Sequence, residues 1–453
     1  WTLEFEAELN VQSLWNGVIT KSGNRITLRG DGTTAGIDAG GTVNLGFTAE
    51  GRFPAAAHNC RFNGQTCELS VSGEMQLPAP GAPGGPAAPA IRIERADIPE
   101  TAGQLTVGQS EKTFQLQTSG PGGNEFTVTL SNPALARVGG DGTTLTIQGL
   151  KPGRAGLRIE EKKSGAVRFT GLRVLTPDGK VPELPEYLAL GSVSEDTAEH
   201  LSFWESFAPG PRNKRVDIRY IYLNGGPVQG WHTWGATPGS RLVNYIRNSR
   251  RLGIIPFFVW YNIPEGAESY EVVTRHVKDE AYLTAYFKNL KFALELVNRE
   301  SPDDTVGFVL EPDFLGYLAQ NEGRPAAEIP AATHAIYTSG LLKRGEDPAF
   351  PDSVKGFVSA VNYLIRKVSP QVYFGWQMNL WASPAGGWTV KIPTRGVIQL
   401  TRDMGIEQGR AAIRREAQAI TRYYLEAGVA SHGARFLSID KYGLDAVGFE
   451  PGA

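Results

Sequence analysis

The chain has 453 residues, which at about 100–200 residues a domain predicts two to four domains. Hydrophobic residues make up 41% and charged residues 20%, a composition typical of packed rather than disordered chains. The 45 Lys and Arg residues are balanced by 47 Asp and Glu residues, so we expect neither nucleic acid nor a membrane as a partner. No apolar run approaches the roughly 18–20 residues that span a bilayer.

Residues 1–77 predict an all-β domain, because short apolar–polar alternations are separated by Gly-rich turns. The two cysteines, Cys60 and Cys67, flank Asn63-Gly64, a hairpin turn that would set them opposite each other. They form either a disulfide, typical of an exported protein, or two unpaired thiols in a small core. We expect the disulfide and, with it, a secreted protein.

Two further segments follow this domain. Residues 78–90 contain only Ala, Gly and Pro, which favours an extended linker. Residues 91–176 return to short alternating strands about ten residues apart, a spacing typical of a β-sandwich.

Residues 177–453 alternate apolar strands with amphipathic helices, which favours a parallel sheet and most simply a (β/α) TIM-like barrel. Ser240 is expected to cap one of these helices. Six strands are predicted and a closed barrel of this kind needs eight, so we expect a truncated barrel. The predicted strands cover 188–193, 216–223, 254–261, 306–310, 371–378 and 435–439.

Glu311 and Asp313 are the strongest candidates for chemistry, because active groups of such barrels stand at the carboxyl ends of strands. At i and i+2 of an extended segment, the two side chains project from one side. Two close carboxylates, one of them desolvated, have pKa values that move apart, so that one stays protonated near neutral pH. Alternatively, Glu311 pairs with an arginine and Asp313 caps the next turn.

Other strand ends also carry polar residues. Asp440 ends the sixth strand and either faces the same cavity or pairs with Lys441. Amides suited to sugar hydroxyls lie at the ends of two other strands; these are Asn262, Gln377 and Asn379.

Tryptophan usage indicates a sugar ligand, because flat aromatic faces beside amides suit pyranose rings. Seven of the nine tryptophans follow position 200. The group near strand ends consists of Trp231, Trp234, Trp260, Trp376, Trp381 and Trp388. We expect Trp231, Trp260 and Trp381 to contact the substrate.

The sequence lacks the motifs of metal-binding, phosphate-binding and serine-nucleophile sites. The six histidines show no metal-ligand spacing, and neither a phosphate-binding loop nor a G-x-S-x-G elbow occurs. We therefore expect no metal and no cofactor.

Residues 1–70 resemble a family 2 carbohydrate-binding module. The resemblance rests on Trp1 opening a strand, Trp15 within SLWNGVIT, AGGTVNLGF at 39–47 and FNGQTC at 62–67. In that family exposed tryptophans bind cellulose, or chitin and xylan in some members. Trp15 falls on one such position, so the resemblance implies that Trp15 binds polysaccharide.

Two later segments also resemble known families. TLTIQGLKPGRAGLRI at 144–159 resembles bacterial Ig-like spacer domains. VGFVLEPDFLGYL at 306–318 resembles the E-P-D-x-L strand of glycoside hydrolase family 6 cellulases, whose proton donor falls on Asp313. Glu265 or Glu268 stands where that family has an Asp after the preceding strand, so the base stays open. The resemblance implies cleavage with inversion of the anomeric centre.

These features predict a monomeric, secreted polysaccharide hydrolase that cleaves β-1,4-glucan. Asp313 would be the general acid, and Glu311 or Asp440 would supply a second carboxylate. One alternative is a retaining barrel enzyme on mannan or xylan, with Glu311 as the acid. Another is a non-catalytic protein whose barrel only binds glycan, for adhesion or targeting.

Overall fold

The structure is a computed structural model. It describes residues 1–6, 9–15, 18–30, 46–51, 58–67, 90–94, 104–119, 123–207, 215–235, 237–379, 381–382 and 397–440. Apart from Ala90, the predicted linker 78–90 lies outside these ranges, as do Trp388 and the side chain of Trp15. The chain divides into two compact units, Trp1–Gly85 and Pro86–Ala453.

The described part of the first unit is β-structure. Its strands are β1 Thr2–Glu6, β2 Leu9–Trp15, β3 Val18–Ser22, β4 Arg25–Arg29, β5 Gly46–Gly51, β6 His58–Phe62 and β7 Gln65–Thr66. One sheet has the order β3-β4-β1-β6-β7, and β2 pairs with β5. The last hairpin has the register that Asn63-Gly64 predicts, because Phe62 lies opposite Gln65. Cys60 and Cys67 are joined by a disulfide, with their Cα atoms 5.2 Å apart.

The second unit begins with two four-stranded sheets. Their strands are β8 Ala90–Glu94, β9 Gln104–Val107, β10 Lys112–Ser119, β11 Phe126–Leu130, β12 Ala136–Gly139, β13 Thr144–Gly149, β14 Gly153–Glu161 and β15 Val167–Val174. The strand orders are β12-β13-β10-β8 and β11-β14-β15-β9. Alternate residues of both sheets, among them Ile147 and Leu157, fill one shared core. The two sheets therefore form a β-sandwich.

In the rest of the second unit, the described residues form six parallel strands in sequential order. They are β16 Gly191–Val193, β17 Ile218–Asn224, β18 Ile255–Tyr261, β19 Gly307–Leu310, β20 Tyr373–Asn379 and β21 Phe436–Asp440. All six predicted strands are present, within a few residues of the predicted bounds. Every residue of β18 is buried, as expected for a parallel strand covered on both faces. The described strands form a curled half-barrel with β16 and β21 at its edges, as expected for a barrel with fewer than eight strands.

Helices connect these strands, and several pack against the sheet. They are α1 Ala198–Glu205, α2 Ser240–Arg251, α3 Tyr270–Lys278, α4 Glu280–Glu300, α5 Phe314–Glu322, α6 Ala335–Thr338, α7 Val354–Val368, α8 Val397–Met404 and α9 Ile406–Glu426. The expected cap at Ser240 is wrong by one residue, because Gly239 is the N-cap and Ser240 the first helical residue. Ser269, Asp279 and Ser353 do cap α3, α4 and α7 through their side chains.

Buried arginines join the sandwich to the half-barrel. Arg154 in β14 forms an ion pair with Asp304, with 2.5 Å between Nη2 and Oδ1. Arg173 in β15 pairs with Asp303 at 2.8 Å, and both aspartates precede β19. A buried charge is stable only when it is paired, so these contacts fix the sandwich against the base of β19.

Candidate active site

Four neighbouring strands place polar side chains at one edge of the half-barrel. Tyr261 ends β18, Asp313 follows β19, Asn379 ends β20 and Asp440 ends β21. Asn379 and Asp440 are in register as direct partners between the last two strands. The carboxyl ends of parallel strands meet at the same edge of a sheet, so four residues far apart in sequence converge.

The Asp313 carboxyl receives two side-chain hydrogen bonds. The Tyr261 hydroxyl donates to Oδ2 at 3.1 Å, and the Asn379 amide Nδ2 donates to Oδ1 at 2.5 Å. Asn379 is itself fully buried, and its Oδ1 accepts from the Tyr424 hydroxyl at 3.3 Å. Both carboxylate oxygens of Asp313 are therefore held in fixed directions while the residue stays only half-buried.

Burial raises the pKa of the Asp313 carboxyl above its ordinary value, since the charged form is poorly solvated there. The hydrogen bonds from Tyr261 and Asn379 act the other way and lower this pKa. The negative charges of Glu268 and Asp440 raise it further. The nearby charges of Glu268 and Asp440, together with partial burial, thus favour the protonated form of Asp313, which a general acid requires.

Glu311 has a different environment, because it is only 1% exposed. Its Oε2 accepts the backbone N–H groups of Ile263 at 3.0 Å and Asn262 at 3.1 Å. Burial raises the pKa of Glu311 to about 8, although these N–H donors lower it. The carboxyl points at the backbone of the loop after β18, so Glu311 is placed to hold that loop.

The expectation that Glu311 and Asp313 project from one side of an extended segment is wrong. β19 ends at Leu310, and Glu311 and Asp313 have φ angles of 40° and 67°. These left-handed angles turn the two carboxyls to different surroundings. Of the two alternatives for Asp313, it does occupy the N-cap of α5, but its side chain makes no capping hydrogen bond there. Glu311 bonds backbone N–H groups instead of an arginine.

The loop after β18 is tied down by further buried contacts. The Asn262 side chain is fully buried and donates to the Leu223 carbonyl at 2.9 Å. The Tyr282 hydroxyl donates to the Asn262 carbonyl at 2.5 Å. Asn262 therefore positions the loop and does not face substrate, contrary to the expectation that its amide binds sugar.

Two of the tryptophans expected to bind sugar lie in the core. Trp231 and Trp260 have no exposed surface, and their ring centroids are 5.9 Å apart. Trp231 donates its Nε1 hydrogen to Asn289 at 2.8 Å. Trp376 is equally buried, with its Nε1 donating to Asn362. Trp260 and Trp376 lie on strands whose alternate residues face the apolar layer of helices, and Trp231 lies in the turn after β17 and packs against Trp260.

Trp381 and Gln377 remain near the edge that carries Asp313. Trp381 is partly buried, and its ring packs so closely on α5 that a Cβ at Gly316 would lie 2.6 Å from it. Its ring centroid is 5.3 Å from that of Tyr317. Gln377 is half-buried on β20, two residues before Asn379 and on the same face of the strand.

Sequence reasoning did not select two tyrosines that shape this site. The Tyr317 hydroxyl donates to the Glu268 carbonyl at 3.0 Å, which ties the loop carrying Glu268 to α5. Burial and the charges of Asp313 and Glu268 raise the pKa of Tyr317 to about 12. Tyr317 is four residues after Asp313, so helical spacing was the available signal. No sequence signal pointed to Tyr424, because its 3–4 spacing on α9 indicates only that it belongs to the buried face of that helix.

Within the described residues, no group of three or more His, Cys, Asp or Glu side chains is arranged to hold a metal ion. None of the described helices is long and apolar enough to cross a membrane.

Three comparisons find similarity to known proteins. Residues 1–67 match the cellulose binding domain family. Chitinase C of Streptomyces lividans is 31% identical over 158 residues, which are 34% of this chain and 22% of that protein. Chitinase 63 of Streptomyces plicatus is 30% identical over 156 residues, with the same coverage. The match thus spans about a fifth of the length of these chitinases.

Solved structures resemble the chain only weakly. A family 39 glycoside hydrolase from Bacteroides cellulosilyticus aligns with 77% of this chain and 75% of its own, at 12% identity and a TM-score of 0.19. A β-D-glucuronidase of Dictyoglomus thermophilum aligns with 75% of this chain and 52% of its own, at 10% identity and a TM-score of 0.23. Scores this low establish neither a shared fold nor a shared activity.

Proposed function

We propose that the protein is a secreted, modular polysaccharide hydrolase that cleaves β-1,4-glucan, with Asp313 as the general acid. The observation that carries the proposal is the Asp313 carboxyl at the strand ends. It is half-buried, its pKa is raised, and side chains from two neighbouring strands orient it. A carboxylic acid that stays protonated near neutral pH and still reaches solvent is what cleavage of a glycosidic bond requires.

The proton moves from the Asp313 carboxyl to the glycosidic oxygen as the bond from that oxygen to the anomeric carbon breaks. The Tyr261 hydroxyl and the Asn379 amide then stabilise the Asp313 carboxylate that is left. Water adds to the anomeric carbon, and its proton passes to a second carboxylate. The net charge of the site is then unchanged, and the resting state returns when the second carboxylate releases its proton to solvent and Asp313 takes one up.

Asp440 is the second carboxylate in this proposal. It ends the strand beside Asn379, is half-buried, and its charge acts on Asp313. Glu268 is the alternative, since it is exposed and its charge also acts on Asp313. Glu311 is not in contact with substrate, because its carboxyl is buried against backbone.

We propose that the substrate is bound by residues at the same edge of the half-barrel and by the first unit. Gln377, two residues before Asn379 on β20, and Trp381, which packs on α5, supply an amide and an aromatic ring for a sugar. Trp15 belongs to the segment that matches the cellulose binding domain family, and we propose that it anchors the protein to the polymer. The Cys60–Cys67 disulfide agrees with secretion into an oxidising compartment. We propose that the enzyme acts as a monomer without a cofactor.

Chitin is the second candidate substrate. The observation in its favour is the similarity to two Streptomyces chitinases over about a third of this chain. That similarity covers only a fifth of those proteins, so cellulose remains the first choice on the family match of residues 1–67.

Release of reducing sugar from cellulose, chitin, mannan and xylan tests this proposal. We expect the full chain to release sugar from cellulose or soluble cello-oligosaccharides, and Asp313→Asn to lose that activity while still binding the oligosaccharides. Asp141→Asn, on the exposed surface of the sandwich, is the matched control and should behave as wild type. Turnover by Asp313→Asn at the wild-type rate would contradict the assignment, and no release from any polymer would favour a glycan-binding protein.

A further inference from the structure

Tyr424 lies on α9 behind Asp313, and the proposed function gives it no task. Neither Tyr424 nor Asn379 has exposed surface. The Tyr424 hydroxyl donates to Oδ1 of Asn379 at 3.3 Å and accepts the backbone N–H of the same residue at 3.5 Å. The Asn379 Nδ2 then donates to Oδ1 of Asp313 at 2.5 Å. Helix α9 therefore reaches the Asp313 carboxyl through a relay of two buried side chains.

The relay fixes which side of the Asn379 amide faces Asp313. A side-chain amide carries an acceptor oxygen on one side and an NH₂ donor on the other, and a half-turn exchanges them. Because Asn379 is fully buried, water does not replace a lost partner on either side. The backbone N–H already occupies the Tyr424 oxygen, so the hydroxyl hydrogen points at Oδ1 and the NH₂ group is left to face Asp313.

This orientation decides what the amide does to the Asp313 proton. An NH₂ group stabilises the ionised carboxyl, and the hydrogen bond from Asn379 accordingly lowers the pKa of Asp313. An amide oxygen in the same place would repel the carboxylate and accept a hydrogen bond from the protonated form, which raises the pKa. Burial and the charge of Asp313 raise the pKa of Tyr424, so its hydroxyl remains a donor at neutral pH.

Other titratable groups face Asp313 from neighbouring elements, and each acts on it directly. They are Tyr261 on β18, Glu268 in the loop that follows, Tyr317 on α5 and Asp440 on β21. Tyr424 differs from them, because its hydrogen-bonded path to Asp313 runs through Asn379. The effect of Tyr424 on the Asp313 carboxyl should therefore disappear when the Asn379 amide is removed.

We propose that Tyr424 is a positioning residue, which holds the Asn379 amide with its nitrogen toward Asp313 and so favours release of the Asp313 proton. A general acid must give up its proton in the transition state, so this buried hydroxyl tunes the reaction without touching the substrate. The consequence for catalysis rests on the proposed function, in which Asp313 is the acid. The effect on the Asp313 carboxyl itself does not.

Carbon-13 NMR of the full chain labelled at the aspartate carboxyls measures the titration midpoint of Asp313, and Asp313→Asn identifies the signal. We expect Tyr424→Phe to raise this midpoint by about half a pH unit, because the amide is no longer held in its donor orientation. Tyr423→Phe is the matched control and should leave the midpoint unchanged. Tyr423 is also buried, its ring centroid lies 6.2 Å from that of Tyr424, and its hydroxyl has no hydrogen-bond partner among the described residues.

A double-mutant cycle tests whether the effect passes through the amide. Asn379→Ala should raise the Asp313 midpoint by itself, and Tyr424→Phe should add nothing in that background. A further measurement needs no change at Tyr424 and applies even where Tyr424→Phe fails to fold. In the wild-type chain labelled with nitrogen-15 asparagine, the Nδ2 hydrogens of Asn379 should shift with the same midpoint as the Asp313 carboxyl.

The NMR midpoints are measured without substrate, which separates this inference from the proposed hydrolysis. If the chain cleaves glycan as proposed, the alkaline limb of kcat/KM should rise with the midpoint in Tyr424→Phe and stay in place in Tyr423→Phe. The expected midpoints without release of sugar would contradict the proposed function and support the inference. An unchanged midpoint in Tyr424→Phe, an equal rise in Tyr423→Phe or a further rise on top of Asn379→Ala would overturn it, as would Nδ2 signals of Asn379 that do not titrate.

Discussion

Glu311 and Asp313 are two residues apart after the same strand, but their carboxyls lie in opposite surroundings. Glu311 is 1% exposed and faces backbone N–H groups, whereas Asp313 is half-buried among side chains from neighbouring strands. Burial raises the pKa of both. The difference teaches that a raised pKa alone does not identify a catalytic acid, because of these two carboxyls only that of Asp313 is open to solvent.

The largest expected effect is that of Glu311 on the pH dependence of the free energy of unfolding. The pKa of Glu311 is about 8 in the folded protein against an ordinary 4.5. Between these pH values the folded state keeps a proton that the unfolded state releases, so the free energy of unfolding falls as pH rises. At about 1.4 kcal/mol per pKa unit, the fall is at most roughly 5 kcal/mol. In Glu311→Gln, whose side chain cannot ionise, this part of the fall in the free energy of unfolding with pH should disappear.

Urea unfolding at several pH values measures this slope through the fluorescence of the buried Trp231, Trp260 and Trp376. Glu346→Gln, a change to a glutamate whose side chain is 70% exposed, is the control and should keep the wild-type slope. An unchanged slope in Glu311→Gln would show that Glu311 is ionised in the folded protein.

A smaller effect is expected from Tyr261→Phe. The Tyr261 hydroxyl stabilises the ionised form of Asp313, so removing it raises the pKa of Asp313 further. The acid then stays protonated to higher pH, and the alkaline limb of the kcat/KM profile should move up by about one pH unit. Tyr222→Phe is the matched control, because that ring faces Tyr261 at 6.5 Å between centroids. If the alkaline limb does not move in Tyr261→Phe, the Tyr261 hydroxyl does not affect the pKa of Asp313.

The smallest expected effect is that of Asp440→Asn, which should move the alkaline limb in the opposite direction. The Asp440 charge raises the pKa of Asp313, so Asp440→Asn should lower it and move the alkaline limb down by roughly half a pH unit. The shift should shrink as salt is added, since Asp440 is partly exposed. This shift is read from the shape of the profile, independently of any loss of rate from removing the second carboxylate. A shift to higher pH would contradict the electrostatic account.

The sequence predicted much of this arrangement. The six strands of the half-barrel were found from apolar runs, and the register of the β6–β7 hairpin from Asn63-Gly64. Asp313, Asn379 and Asp440 were found because polar residues are unusual at the ends of buried strands. Strand order places the ends of β20 and β21 side by side, which brings Asn379 and Asp440 into register.

The orientation of individual side chains was not predictable in the same way. The φ angles at Glu311 and Asp313 are positive, whereas alternation rules assume extended backbone. Trp231 and Trp260 were assigned to the site because they lie near strand ends, although a large apolar ring there is equally suited to the helix layer. Sequence spacing cannot separate those two positions.

The role of Asp313 as the acid is tested most directly by the leaving group. A dinitrophenyl β-cellobioside releases a stable phenolate that needs no proton, whereas a cello-oligosaccharide needs one. Asp313→Asn should therefore lose about 10²–10⁴-fold in kcat on the oligosaccharide and retain most of its rate on the aryl glycoside. Glu311→Gln should treat the two substrates as wild type does. Equal losses on both substrates in Asp313→Asn, or a selective loss in Glu311→Gln, would contradict the account.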